Sequence, residues 1–112
     1  MEIRCKNEGT IMVAMLVGRL DGTTAGIVQT ELLPKLSSSA PKVILDLSLL
    51  DYISSAGLRS LLDLAKKVRT KAGKLVVAEM KDQIREIFEI SGFRSVIPAY
   101  PDLVKAREAI AP

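Results

Sequence analysis

Apolar residues fall in short runs whose period changes along the chain. Ile3 and Cys5 alternate with charged neighbours, the mark of a half-exposed strand. Asn7, Glu8 and Gly9 carry turn chemistry. Ile11 to Val17 is almost wholly apolar, which predicts a second strand inside a sheet and an antiparallel hairpin with the first. Gly18, Arg19, Leu20 and Asp21 end that strand. A helix is expected after Gly22, Thr23 and Thr24, with a threonine as cap and Ile27, Val28, Leu32 and Leu36 as its buried stripe. Pro34 should end or kink it near Leu33. Ser37, Ser38, Ser39, Ala40 and Pro41 read as loop.

The most informative stretch follows. Val43, Ile44 and Leu45 form a β-branched and apolar run suited to a strand covered on both faces. Asp46 and Ser48 mark its end, and Leu49, Leu50 and Ile53 are expected to anchor the connection to the core. A helix should start near Ser54 or Ser55. Leu58, Leu61, Leu62, Ala65, Val68 and Ala72 recur at the spacing of one helical face, with Arg59, Asp63, Lys66, Lys67 and Thr70 largely opposite. Gly73 reads as the helix stop. Leu75 to Ala78 is a further buried strand, and Lys81 or Asp82 opens a helix with Ile84, Ile87 and Phe88 inward and Gly92 at its end. Val96 and Ile97 predict a short edge strand. Pro101 predicts the first turn of a last helix lined by Leu103, Val104, Ala106, Ala109 and Ile110. This order implies an α/β fold, a mixed sheet of four to five strands packed with about four helices, the later strands parallel.

At 112 residues the chain has the size of one ordinary domain, and 48% of it is apolar, enough for a real core. The aromatics are Tyr52, Phe88, Phe93 and Tyr100 alone, so aliphatic side chains fill the core, and base stacking on nucleic acid is disfavoured. The net charge is +3. The densest basic group, Lys66, Lys67, Arg69, Lys71 and Lys74, follows Asp63 at helical spacing and reads as a solvated face. Neither nucleic acid nor membrane is expected as a partner. No apolar run approaches the ~20 residues that span a bilayer. The start, MEIRCKNEG, is too charged for a signal peptide, and the lone Cys5 fits a reducing cytosol, so a cytoplasmic location is expected.

Histidine is absent, which removes a Ser-His-Asp triad. Ser-Ala-Gly is not a nucleophile elbow, no Gly-x-x-x-x-Gly-Lys loop is present, and Cys5 alone cannot frame a zinc site. No enzyme activity, cofactor or metal is expected. Asp21, Asp46 and Asp51 could gather around a hard cation, but the favoured reading makes them turn caps.

What remains is the Ser54-Ser55-Ala56-Gly57 junction. A helix cap explains one serine. Two serines followed by small residues also clear the surface around a hydroxyl and let another backbone come close. Asp46, Ser48, Ile53, Ser55, Gly57, Leu58 and Leu62 together resemble the signature of the STAS family of anti-sigma factor antagonist domains. Gly18, Leu20 and Asp21 match the family's Gly-x-Leu-Asp. The Ile-x-x-Ile-Phe-x-x-Ser-Gly-Phe pattern ending at Phe93 extends the likeness, so residues 1–112 are read as a single STAS domain. The resemblance implies phosphorylation of Ser55, with Ser54 as the alternative, since many members place Asp where this chain has Ser54. It implies a docking surface of Asp21, Asp46, Ser48, Ser54, Ala56, Gly57 and Arg59. Arg19 stands where an acidic residue is frequent. It further implies an anti-sigma factor that is a serine kinase with a histidine-kinase-like ATP site, and a PP2C-type phosphatase. The alternative it allows is a constitutive scaffold in a signalling or lipid-transport assembly.

Overall fold

The computed structural model describes residues 1–36 and 39–111. Ser37 and Ser38 of the expected serine loop lie outside them. Strand β1 (Glu2–Glu8) turns at Gly9 and pairs antiparallel with β2 (Ile11–Leu20), Cys5 facing Ala14. Helix α1 (Ala25–Leu32) tightens into a 3₁₀ turn over Leu33–Leu36, where Pro34 withholds its N–H. Then come β3 (Lys42–Asp46), β4 (Leu50–Ile53), α2 (Ser55–Thr70), β5 (Lys74–Ala78), α3 (Asp82–Ile90), β6 (Ala99–Tyr100) and α4 (Leu103–Ile110). The sheet runs β1-β2-β3-β5-β6, parallel beyond the first pair, with β4 beside β2.

The pleat sorts the core. Ala14, Leu16, Val43, Leu45, Leu75 and Val77 point to the side that holds Val28, Leu61, Leu64 and Phe88 from α1, α2 and α3. Val13, Ile44, Val76 and Ala78 point to the other, where Ala106 and Ile110 of α4 cover them. Strand β3 is therefore covered on both faces, as its apolar run requires.

Four expectations need correcting. Leu50–Ile53 is a strand, not a connection, because β2 continues past Gly18 and offers it an edge. The pairing shifts between Gly18 and Arg19, with Gly18 at φ +105°. The short edge strand is Ala99–Tyr100 rather than Val96–Ile97, which follow a 3₁₀ turn over Phe93–Ser95. On α4, Val104 and Ala109 are exposed, and Pro101 precedes the cap Asp102. On α2, Leu64 is fully buried while Leu62 is only partly so and Ala72 is exposed.

The end of α2 also differs in cause. Ala72, not Gly73, takes the left-handed position at φ +59°, and the Gly73 N–H bonds back to the Val68 carbonyl at 3.0 Å. Gly73 is required by proximity: a Cβ there would lie 2.3 Å from the Pro41 carbonyl oxygen. Cys5 is half-buried against the core, and burial pushes its thiol pKa up, away from reactivity.

Arg107 of α4 fastens the hairpin with two bonds to Glu8, at 2.7 and 3.1 Å. The bond from Arg107 holds the Glu8 carboxyl below its ordinary value. A depressed folded pKa stabilises above the unfolded value, about 4.3 for glutamate. That contribution disappears as pH falls through the folded value. Thermal melts should therefore drop as pH falls through and below the unfolded value, and Glu8→Gln should flatten that slope. An unchanged slope would remove this pair from the acid response.

Candidate functional site

The site is built where β4 hands the chain to α2. At the end of β3, Asp46 is 4% exposed, and its Oδ1 accepts from the Ser48 N–H at 2.9 Å. Leu47 is buried, and its N–H bonds the Ala78 carbonyl at 3.0 Å. The turn then puts Leu49 outward at 42% exposure, contrary to its expected anchoring role, while Leu50 and Ile53 do reach the core. In β4, Tyr52 lies opposite Arg19 and Ile53 opposite Leu20. The Ser54 N–H continues this ladder onto the Leu20 carbonyl at 3.0 Å.

Ser54 is still extended, at φ −96° and ψ 175°, and its hydroxyl oxygen accepts from the Gly57 N–H at 3.1 Å. It is the cap, worth about 1 kcal/mol. Ser55 is the first helical residue, and it is exposed. Its hydroxyl is left out of the capping bond that its neighbour makes. The adjoining helix start carries partial positive charge. Gly57 is buried because α2 sits directly on β2: a Cβ would fall 2.5 Å from the Leu20 carbonyl oxygen.

Asp21 follows Leu20 and so borders the same junction. Its Oδ1 accepts from the Thr23 N–H at 2.9 Å and the Thr23 hydroxyl at 2.7 Å. The Thr23 bonds, side chain first, hold the Asp21 carboxyl below its ordinary value, with smaller help from Thr24 and Arg19. The Thr24 hydroxyl donates to the Arg19 carbonyl at 2.8 Å. Arg19 lies over the Tyr52 ring, 4.3 Å from its centroid, and 3.8 Å from Asp21 Oδ2.

The residues anticipated from the sequence divide into two sets. Ser55, Ala56 and Arg59 are exposed, and Ser48, Ser54 and Asp21 are half-buried. Asp46 and Gly57 are buried, so they shape the turn and the helix seat and offer no contact surface. Asp21, Asp46 and Asp51 go to separate partners, Thr23, Ser48 and Lys81. Among the described residues they form no metal-holding group. Ser60, not singled out beforehand, is buried and joins α2 to α1. Its hydroxyl donates to the Ala25 carbonyl at 2.8 Å, and its own carbonyl accepts from Gln29 at 2.9 Å. A polar residue beside the apolar stripe was its only signal.

A mixed sheet led by an antiparallel hairpin, with a serine-glycine helix start beside its second strand, defines an α/β domain of the STAS class. The chain belongs to the STAS domain family, whose model matches residues 2–106. It is 43% identical over 101 residues to the BtrV protein of Bordetella bronchiseptica, which carries the name of an anti-sigma factor antagonist. That match covers 90% of this chain and 84% of the relative. The fold is similar to an anti-sigma factor antagonist from Mycobacterium paratuberculosis (TM-score 0.88, 22% identity, 99% and 94% coverage). It is also similar to the anti-sigma factor antagonist SpoIIAA, solved in its unphosphorylated form (TM-score 0.69, 16% identity, 97% and 94% coverage). No helix among the described residues is long and apolar enough to cross a membrane.

Proposed function

We propose that this chain is an anti-sigma factor antagonist switched by phosphate on Ser55. Unmodified, it binds an anti-sigma factor and frees the sigma factor. Phosphorylated, it lets go. The observation that carries this reading is the division of labour at the helix start. Ser54 is committed to the cap, and Ser55 is exposed with its hydroxyl outside that bond. The name of the Bordetella relative supports the role.

Two effects compete on phosphorylation. The group adds about −1.5 to −2 charges at neutral pH. The helix start favours it by about 0.3–1 kcal/mol, so the domain keeps its fold. A protein pressed against Ser55 must desolvate or expel that charge at a cost of several kcal/mol. Since about 1.4 kcal/mol is tenfold in affinity, the interface effect wins. The anti-sigma factor is the serine kinase, with a histidine-kinase-like ATP site, and a PP2C-type phosphatase resets the mark. ATP and magnesium belong to the kinase, and the cycle runs in the cytoplasm.

The test is incubation with ATP and each candidate serine kinase of the same organism, followed by mass spectrometry. One phosphate on Ser55, absent from Ser55→Ala, is the expected result. Ser55→Asp should bind the anti-sigma factor at least tenfold more weakly than Ser55→Ala, with unchanged circular dichroism. A chain that gains no phosphate yet binds its partner would instead be a constitutive scaffold.

A further inference from the structure

Resting on the reading above, the surface around Ser55 also indicates what kind of partner face it meets. Arg59 is exposed on α2. It stands one helical turn after Ser55, the spacing that brings side chains together on one face, with Cβ atoms about 5–6 Å apart. Among the described residues no ion pair holds it. Arg19 has a side chain 64% exposed, held over Tyr52 and only loosely near Asp21. Asp63, one turn beyond Arg59 on α2, is exposed and, among the described residues, in no ion pair, while Asp21 is engaged by Thr23 and Asp51 by Lys81. Beside them, Leu49 and Tyr52 are 42% and 39% exposed, two of the few large apolar side chains in the open. Arginine and tyrosine around a small apolar centre are the residue types that dominate binding energy at protein interfaces.

We infer that the docking partner presents carboxylates set around an apolar cluster. These carboxylates engage Arg19 and Arg59 while the cluster covers Leu49 and Tyr52. Phosphate on Ser55 then acts twice. It repels the partner's carboxylates, and it takes Arg59 as its own counter-ion across one helical turn. The partner loses an attraction and meets a repulsion together, which makes the switch steeper than steric blocking alone.

The test is calorimetry of the full chain against the candidate serine-kinase anti-sigma factors of the same organism. Arg19→Glu and Arg59→Glu should each weaken binding at least tenfold. Replacing an interface aspartate or glutamate of the partner by lysine should restore affinity to the Arg59→Glu chain. Raising salt from about 50 to about 300 mM should weaken the wild-type complex. Arg94→Glu, on the 3₁₀ turn after α3, should bind like wild type. A partner-free readout uses chain made with phosphoserine at position 55. Phosphorus NMR titration should show the second phosphate pKa rising when Arg59 becomes Gln. If both reversals bind as tightly as wild type while Ser55→Asp still weakens the complex, the acidic-partner inference falls and the phosphate switch stands. If the wild-type chain has no affinity for the anti-sigma factor, both fall.

Discussion

Phe88→Ala should lower the unfolding free energy by about 4 kcal/mol, the middle of the range for deleting a buried aromatic. Phe88 is fully buried and meets Phe93 edge-on, with ring centroids 6.1 Å apart at 70°. It brings α3 onto the side of the sheet that also holds α1 and α2. Phe93, the neighbour of equal volume, already packs against the core from its 3₁₀ turn. Against a total stability of about 5–15 kcal/mol, the loss is a quarter or more. Urea denaturation should show a lower midpoint with the slope preserved. A loss below about 1 kcal/mol would mean that α3 settles into the space, against the usual behaviour of such cavities.

Gly57→Val should cost about 3 kcal/mol, at the upper end for forcing bulk into a packed site. The added Cβ would meet the Leu20 carbonyl oxygen at 2.5 Å, Leu20 Cγ at 2.9 Å and Ile53 Cγ1 at 3.0 Å. That oxygen is also the acceptor for the Ser54 N–H. Relief therefore means lifting the first turn of α2 from β2 and β4, which displaces the cap and Ser55 together. Thermal unfolding and partner binding should fall in step. The contrast is Gly26→Ala on α1, where nothing lies within 4 Å of the new carbon. There the melt should hold or rise, since alanine restricts the unfolded chain. A Gly57→Val melt equal to that of Gly26→Ala would show that the helix seat is pliant.

Much of the arrangement could be read ahead from particular residues. The apolar run Val43–Leu45 announced a doubly covered strand, and Pro34 marked where α1 gives way to a 3₁₀ turn. The serine-glycine junction marked the start of α2 to within a residue. What escaped was set by long-range pairing. Asp51 and Tyr52 are both exposed between buried Leu50 and Ile53, so no two-residue alternation betrays β4. It is a strand only because β2 runs on past the irregularity at Gly18. The family resemblance put Asp46 on the docking surface, yet it is buried. Its burial follows from the Ser48 N–H satisfying its Oδ1 inside the loop. Val96 and Ile97 have the better β propensity, yet Ala99 and Tyr100 are the ones aligned with Val77 and Ala78.

Placing the cap on Ser54 and leaving the next hydroxyl outside it has a consequence for wear. Under the proposed switch, a phosphate on Ser55 would leave unbroken the capping bond that Ser54 makes, and its removal would return the same molecule. Successive rounds of such a switch would then need no refolding of the helix start.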